Sequence, residues 1–148
     1  MTEPAFHRIV VPTDFSACAE AAWAAALRAG GPSAEIVLVH VLVDTPRFAE
    51  GAGGADLRET LDSARQWATR ELDQRVSTAR ASGVSARAAL RTGVPHEEIL
   101  RLASEERADL IAIGTHGRGG LERALLGSVA DRVIRLASCP VLTVRQPD

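Results

Sequence analysis

The run Ile36-Val37-Leu38-Val39-His40-Val41-Leu42-Val43 constrains the fold more than any other part of this chain. An aliphatic stretch broken by a single histidine does not suit a strand with one wet face. It suits a central strand covered on both sides, as in a parallel sheet. Parallel neighbours need long crossovers, usually helices, and the rest of the sequence supplies them. Ile9-Val10-Val11 reads as a short strand ending at Pro12. Ser16 is placed to cap an Ala-rich helix that runs to about Ala29 and stops at Gly30-Gly31-Pro32. A long helical pattern spans about Asp56 to Ala81, with Leu57, Leu61, Ala64, Ala68, Leu72 and Val76 on one stripe. Gly83 lies just past its end, and Val84 to Arg91 alternates as a strand nearer an edge does. Pro95 suits the first turn of another helix, with Glu97 and Glu98 favourable to its dipole and an end near Glu106. Asp109 to Ile113 reads as a strand, Ser128 to about Ser138 as a helix, and Val141 to Val144 as a last strand. Pro140 belongs at a strand start or on an edge. The order β-α-β-α-β-α-β-α-β is that of a doubly wound parallel sheet. Thr45 to Ala55, with Pro46 and three glycines, is the loop expected to be mobile.

At 148 residues the chain makes one domain, 1–148, with a real core. A formal net charge of −2 gives no field that would draw it to nucleic acid or an anionic membrane. With neither a long apolar run nor a signal-peptide pattern, a cytoplasmic location is expected. Cys18 and Cys139 form no metal or redox motif and are expected to be buried thiols. All seventeen basic residues are arginine. That excludes the lysine of a Walker-type loop and any Schiff-base chemistry, so a cationic phosphate contact must come from arginine.

The chemistry concentrates at Gly114-Thr115-His116-Gly117, followed after nine residues by Gly127-Ser128. Glycines at a strand's carboxyl end let backbone amides approach a ligand, because no Cβ stands in the way. A helix opening at Ser128 aims free N–H groups and its positive dipole end at the same space, which favours an anion. Ser128-Val129-Ala130-Asp131 also fits a capping box, so Ser128 has two readings, helix cap and phosphate contact. Asp14, in Val11-Pro12-Thr13-Asp14-Phe15-Ser16 beyond the first strand, lies where open α/β sheets bind ligands. Taken in isolation, it is read first as an Asx turn ahead of the helix. Arg118 and Arg123 are both long enough to reach a phosphate, Arg118 being favoured. His116 carries no metal spacing with the other histidines, and Trp23 and Trp67 read as packing or surface residues.

These motifs resemble those of the universal stress protein family. Val-Pro-Thr-Asp-Phe-Ser is similar to its first-strand signature. Gly114-x2-Gly117-x9-Gly127-Ser128 matches its ATP-binding motif with the spacing intact. Ser138-Cys139-Pro140-Val141-Leu142-Thr143-Val144 is similar to its final strand. The resemblance spans the chain and is strongest over the last thirty-five residues. It implies a five-stranded parallel sheet ordered 3-2-1-4-5 with helices on both faces, Rossmann-like and similar to the adenine nucleotide α-hydrolases. It also implies a homodimer through Val141–Val144. By motif position, Pro12, Thr13 and Asp14 would border the adenosine, and the backbone of Val41 would meet the base. Ile113, Gly114 and Gly117 would pass close to ribose and phosphates, with Arg118 nearby. Gly127, Ser128 and Val129 would hold the phosphates, which could carry Mg2+.

The reading that follows is an ATP-binding regulatory module with little or no turnover. The alternatives are a nucleotide-free interaction scaffold and a slow ATPase. Hydrolysis needs a positioned water and charge stabilisation on the transferred phosphoryl, and no residue suggests itself for the first task.

Overall fold

The computed structural model describes residues 6–43, 54–116 and 126–146. Nine elements alternate along the chain: β1 (Arg8–Pro12), α1 (Ala17–Gly30), β2 (Glu35–Val43), α2 (Gly54–Ala81), β3 (Ser85–Gly93), α3 (Pro95–Glu105), β4 (Leu110–Gly114), α4 (Ser128–Leu136) and β5 (Val141–Val144). The five strands form one parallel sheet in the order β3-β2-β1-β4-β5. This is the sheet order that the resemblance to the universal stress protein family implies.

Period-two alternation sorts the strand residues between two cores. Ile9 and Val11 of β1, Ile36 and Leu38 of β2, and Leu110 and Ala112 of β4 pack with Ala22, Trp23 and Ala26 of α1 and Leu72, Val76 and Ala79 of α2. Val10, Val37, Val39, Ile111 and Ile113 point the other way, onto Ile99 and Leu102 of α3 and Ala130 and Val133 of α4. The β2 run is therefore aliphatic at every position from 36 to 39 because both its faces are covered. Trp23 is a core residue, whereas Trp67 is 37% exposed.

Local signals place the ends of the helices. Ser16 caps α1, its Oγ accepting the Ala19 N–H at 3.3 Å. Pro95 occupies the first turn of α3. Two expectations change. The loop expected over Thr45–Ala55 gives way to helix at Gly54, and the rest of it lies outside the described residues. The apolar stripe of α2 is buried only in its second half, at Ala68, Leu72, Val76 and Ala79, while Leu61 is 47% exposed. The reason is length: α2 has 28 residues against nine in β2. At 1.5 Å against ~3.3 Å per residue, the helix is roughly 42 Å long and overreaches a strand of roughly 30 Å.

The β1–β4 junction is stitched at the amino ends of the strands. Asp109 accepts the His7 and Arg8 N–H groups at 2.8 and 2.9 Å, and its own N–H donates to the Arg8 carbonyl at 2.9 Å. At the carboxyl ends nothing comparable joins the strands among the described residues, and there the sheet opens into a cleft.

Candidate functional site

The chain winds from β1 outward to β3 on one side and from β4 outward to β5 on the other, so β1 and β4 flank the switch point of the sheet. A cleft of about 600 Å³ lies beyond their carboxyl ends, the place where folds of this type accept ligands.

Its first wall is the turn after β1. The Thr13 N–H donates to the Val39 carbonyl at 2.8 Å, continuing the sheet by one residue. The Thr13 carbonyl lies 2.7 Å from His40 Nδ1. A carbonyl only accepts, so Nδ1 of this imidazole carries the proton. Thr13 Oγ1 accepts the Phe15 N–H at 3.0 Å, and Asp14 Oδ1 accepts the Ser16 N–H at 3.0 Å. The Asx turn read from the sequence is thus formed, and Asp14 also lines the cleft.

The opposite wall is built where β4 meets α4. A Cβ on Gly114 would lie 2.9 and 3.0 Å from the carbonyl carbon and oxygen of Cys18 and 3.1 Å from the Ala19 nitrogen. A Cβ on Gly127 would lie 3.0 Å from the Thr115 carbonyl oxygen, which also accepts the Gly127 N–H at 2.7 Å. Both glycines therefore pack closely on backbone within the protein: Gly114 seats β4 under the first turn of α1, and Gly127 draws α4 against the end of β4. Both glycines also line the cleft, so tight packing within the chain and closeness to a ligand coincide at these two positions.

The capping box does not form. Gly127 is the N-cap of α4, with φ −60° and ψ 153°, no side chain caps the helix, and Ser128 is its first residue. The Asp131 carboxylate accepts instead from Arg135 Nε one turn later, at 3.1 Å to each oxygen. The N–H groups of Ser128, Val129 and Ala130 thus have no intrahelical acceptor, and all three residues line the cleft.

Pro12, Thr13, Asp14, Val41, Ile113, Gly114, Gly127, Ser128 and Val129 are all brought to this one cleft. Gly117, Arg118 and Arg123 lie outside the described residues. Pro95 and Ile99, which no sequence motif singles out for the site, add an apolar wall from α3. Only the crossover from β3 back over the sheet brings them there, and no local pattern announces it. The packing of Thr115 and His116 is likewise not signalled by the sequence. Thr115 is buried, with its Oγ1 3.6 Å from Cys18 Sγ and 3.0 Å from His116 Nδ1. Cys18 is buried as expected, its thiol donating to the Val144 carbonyl at 3.3 Å. Cys139 is only half-buried, and that burial pushes its thiol pKa up, with Asp109 adding to the effect.

Chemically, the cleft offers three amides without intrahelical acceptors at a helix N-terminus, a rigid polar turn opposite, and aliphatic walls between them. That combination suits a ligand with an anionic end and a flat apolar part. Among the described residues no group of three or more His, Cys, Asp or Glu could hold a metal ion, and no helix is long and apolar enough to cross a membrane.

Comparison with known proteins agrees with this architecture. Universal stress protein MJ0531 of Methanocaldococcus jannaschii is 39% identical over 148 residues, spanning 98% of this chain and 85% of that protein. The solved structure of MJ0577 from the same organism aligns with a TM-score of 0.83 at 29% identity, covering 96% of this chain and 97% of that one. A universal stress protein solved in complex with cAMP aligns with a TM-score of 0.68 at 26% identity, covering 97% and 99% of the two chains. The model of the universal stress protein family matches residues 5–145. With that match running through every strand of the sheet, the chain belongs to the universal stress protein family.

Proposed function

We propose that this chain is an ATP-binding regulatory module with little or no turnover. The observation that carries the reading is the first turn of α4. Three amides without intrahelical acceptors, at Ser128, Val129 and Ala130, lie at a cleft that has a polar turn opposite and aliphatic walls between. An anion stabilised there sits at the positive end of the helix. In this reading Gly127, Ser128 and Val129 hold the phosphates, with Gly117 and Arg118 completing that end. Ile113 and Gly114 run beside the ribose, Pro12, Thr13 and Asp14 border the adenosine, and Val41 meets the base. A Mg2+ ion would be held by the phosphates. The family membership and the cAMP complex of a relative support an adenine nucleotide as the ligand.

Low turnover follows from the turn after β1. Asp14 Oδ1 is engaged by the Ser16 N–H, so this carboxylate serves the shape of the loop before it serves a water. The assembly in this reading is a homodimer. β5 lies at the sheet edge, with Leu142 37% exposed, and pairing with a second copy would satisfy the open backbone groups of both strands.

The test is the nucleotide content of acid-precipitated purified protein, followed by calorimetric titration with ATP, ADP, adenosine and cAMP. Intact ATP in the supernatant and tighter binding of ATP than of adenosine are expected. Recovered ADP or AMP would replace the low-turnover reading with a slow ATPase. A preference for cAMP would replace ATP as the ligand, and no binding at all would leave an interaction scaffold.

A further inference from the structure

We infer that Trp67 and Arg75, on a helix none of whose described residues lines the cleft, are positioning residues that clamp the turn Thr13–Ser16 through Phe15. The inference rests on the nucleotide reading only for the consequence in binding; the clamp itself stands on the geometry. Phe15 has a φ of 65°. Among the described residues it shares the left-handed region with one other non-glycine residue, Arg107. A bulky side chain resists this conformation, and it persists only where the surroundings impose it.

Two sets of contacts impose it. From within the turn, the Phe15 N–H is tied to Thr13 Oγ1 and the next N–H to Asp14 Oδ1, both at 3.0 Å. From outside, the Phe15 ring is gripped on three sides. His40 lies 4.8 Å away between centroids, and Trp67 meets the ring edge-on at 5.0 Å and 79°. The Arg75 guanidinium carbon stands 5.0 Å from the ring centroid. Edge-on aromatic pairs and a cation over a ring face are attractive geometries in their own right. Arg75 is itself fixed, donating from Nε to Glu20 of α1 at 2.5 Å and from Nη1 to the Glu71 carboxylate at 2.7 Å. Trp67, Glu71 and Arg75 follow at i, i+4 and i+8, so they form one stripe of α2.

His40 links the clamp to the cleft. It packs on Phe15 with its ring and holds the Thr13 carbonyl with Nδ1. The turn is thus fixed from β2 by His40 and from α2 by Trp67 and Arg75, and neither α2 residue lines the cleft. Releasing the Phe15 ring would leave its left-handed backbone without external support. Thr13 and Asp14 would then sample other shapes before any ligand arrives.

The experiment compares wild type, Trp67→Ala, Trp67→Phe and Arg75→Gln by hydrogen exchange without nucleotide, and by calorimetric titration with ATP. Trp67 is partly exposed, so these variants are expected to fold. In Trp67→Ala the amides of Phe15 and Ser16 should exchange faster while β4 and β5 keep their protection. The Kd for ATP should rise about five- to tenfold, in line with loss of an aromatic pair. Trp67→Phe should restore most of both, and Arg75→Gln should resemble a milder Trp67→Ala. Unchanged exchange at Phe15 and Ser16 would overturn the clamp, as would a rise shared equally by β4 and β5. Unchanged ATP affinity in a variant whose turn exchanges faster would overturn the positioning role. A wild type that binds no ATP would defeat the nucleotide reading, while the exchange comparison would still decide the clamp.

Discussion

Replacing Gly114 with alanine distinguishes a glycine needed by the protein from one needed by its ligand. The added Cβ would stand 2.9 Å from the Cys18 carbonyl carbon and 3.0 Å from its oxygen. Ordinary contacts begin near 3.4 Å, so the first turn of α1 would have to retreat by roughly half an ångström. No rotamer change relieves the clash, because the atoms met are backbone. Overpacking of this kind costs about 1–3 kcal/mol, and a backbone-on-backbone clash belongs near the upper end. For a chain of this size that corresponds to a melting temperature lowered by about 4–10 °C. Urea unfolding of nucleotide-free protein should show the same loss as a lower midpoint with an unchanged slope. A midpoint equal to that of wild type would refute the packing argument and return Gly114 to the role of ligand clearance, in which only affinity falls.

Ser16→Ala should cost about 0.5–2 kcal/mol in denaturant unfolding, as loss of a helix cap does. Ser128→Ala should leave stability within about 0.5 kcal/mol of wild type, because its hydroxyl caps nothing; if it binds phosphate, titration should show ATP weakened more than adenosine. Thr143→Pro removes a backbone donor from β5 and should shift a dimer toward monomer in light scattering, whereas a folded variant of unchanged mass would point to another interface. The hydrogen bond from Arg91 holds the Glu105 carboxyl below the usual carboxylate range. Its stabilising effect is therefore present above the ordinary carboxylate pKa and is lost as pH falls through the depressed one. Carbon-detected NMR titration should find that low pKa, and Arg91→Gln should return it to the usual range.

The sequence is legible wherever a residue's role is settled by its near neighbours. Ser16 lies one residue ahead of a helix and caps it. The aliphatic run of β2 is buried on both faces because alternation along one strand needs no other information. Pro95 opens α3 for reasons internal to its own ring. Legibility fails where the deciding partner is distant in the chain. That Gly114 also packs under α1, almost a hundred residues earlier, no local pattern shows. Ser128 satisfies the capping pattern, yet the bond between Gly127 and Thr115 sets the helix start one residue earlier in phase. The exposed end of the α2 stripe follows from the length of a sheet that its own periodicity cannot sense. Phe15 reads as an ordinary member of a signature, and only the packing of α2 reveals its strained backbone.

The position of the cleft on the β1–β4 boundary has a consequence for the order of assembly. Residues 8–93 already contain three hydrogen-bonded strands and the two helices that cover one of their faces. The chain emerges from synthesis at about 5–20 residues per second, so this half has seconds to organise before β4 and α4 are complete. Until they dock, the turn after β1 faces solvent and the amides of α4 face nothing. The cleft is therefore complete only once β4 and α4 have docked, and a ligand held there would stabilise only a chain that has reached this stage. In nascent chains, protection of β1 and β2 should therefore precede closure of the cleft.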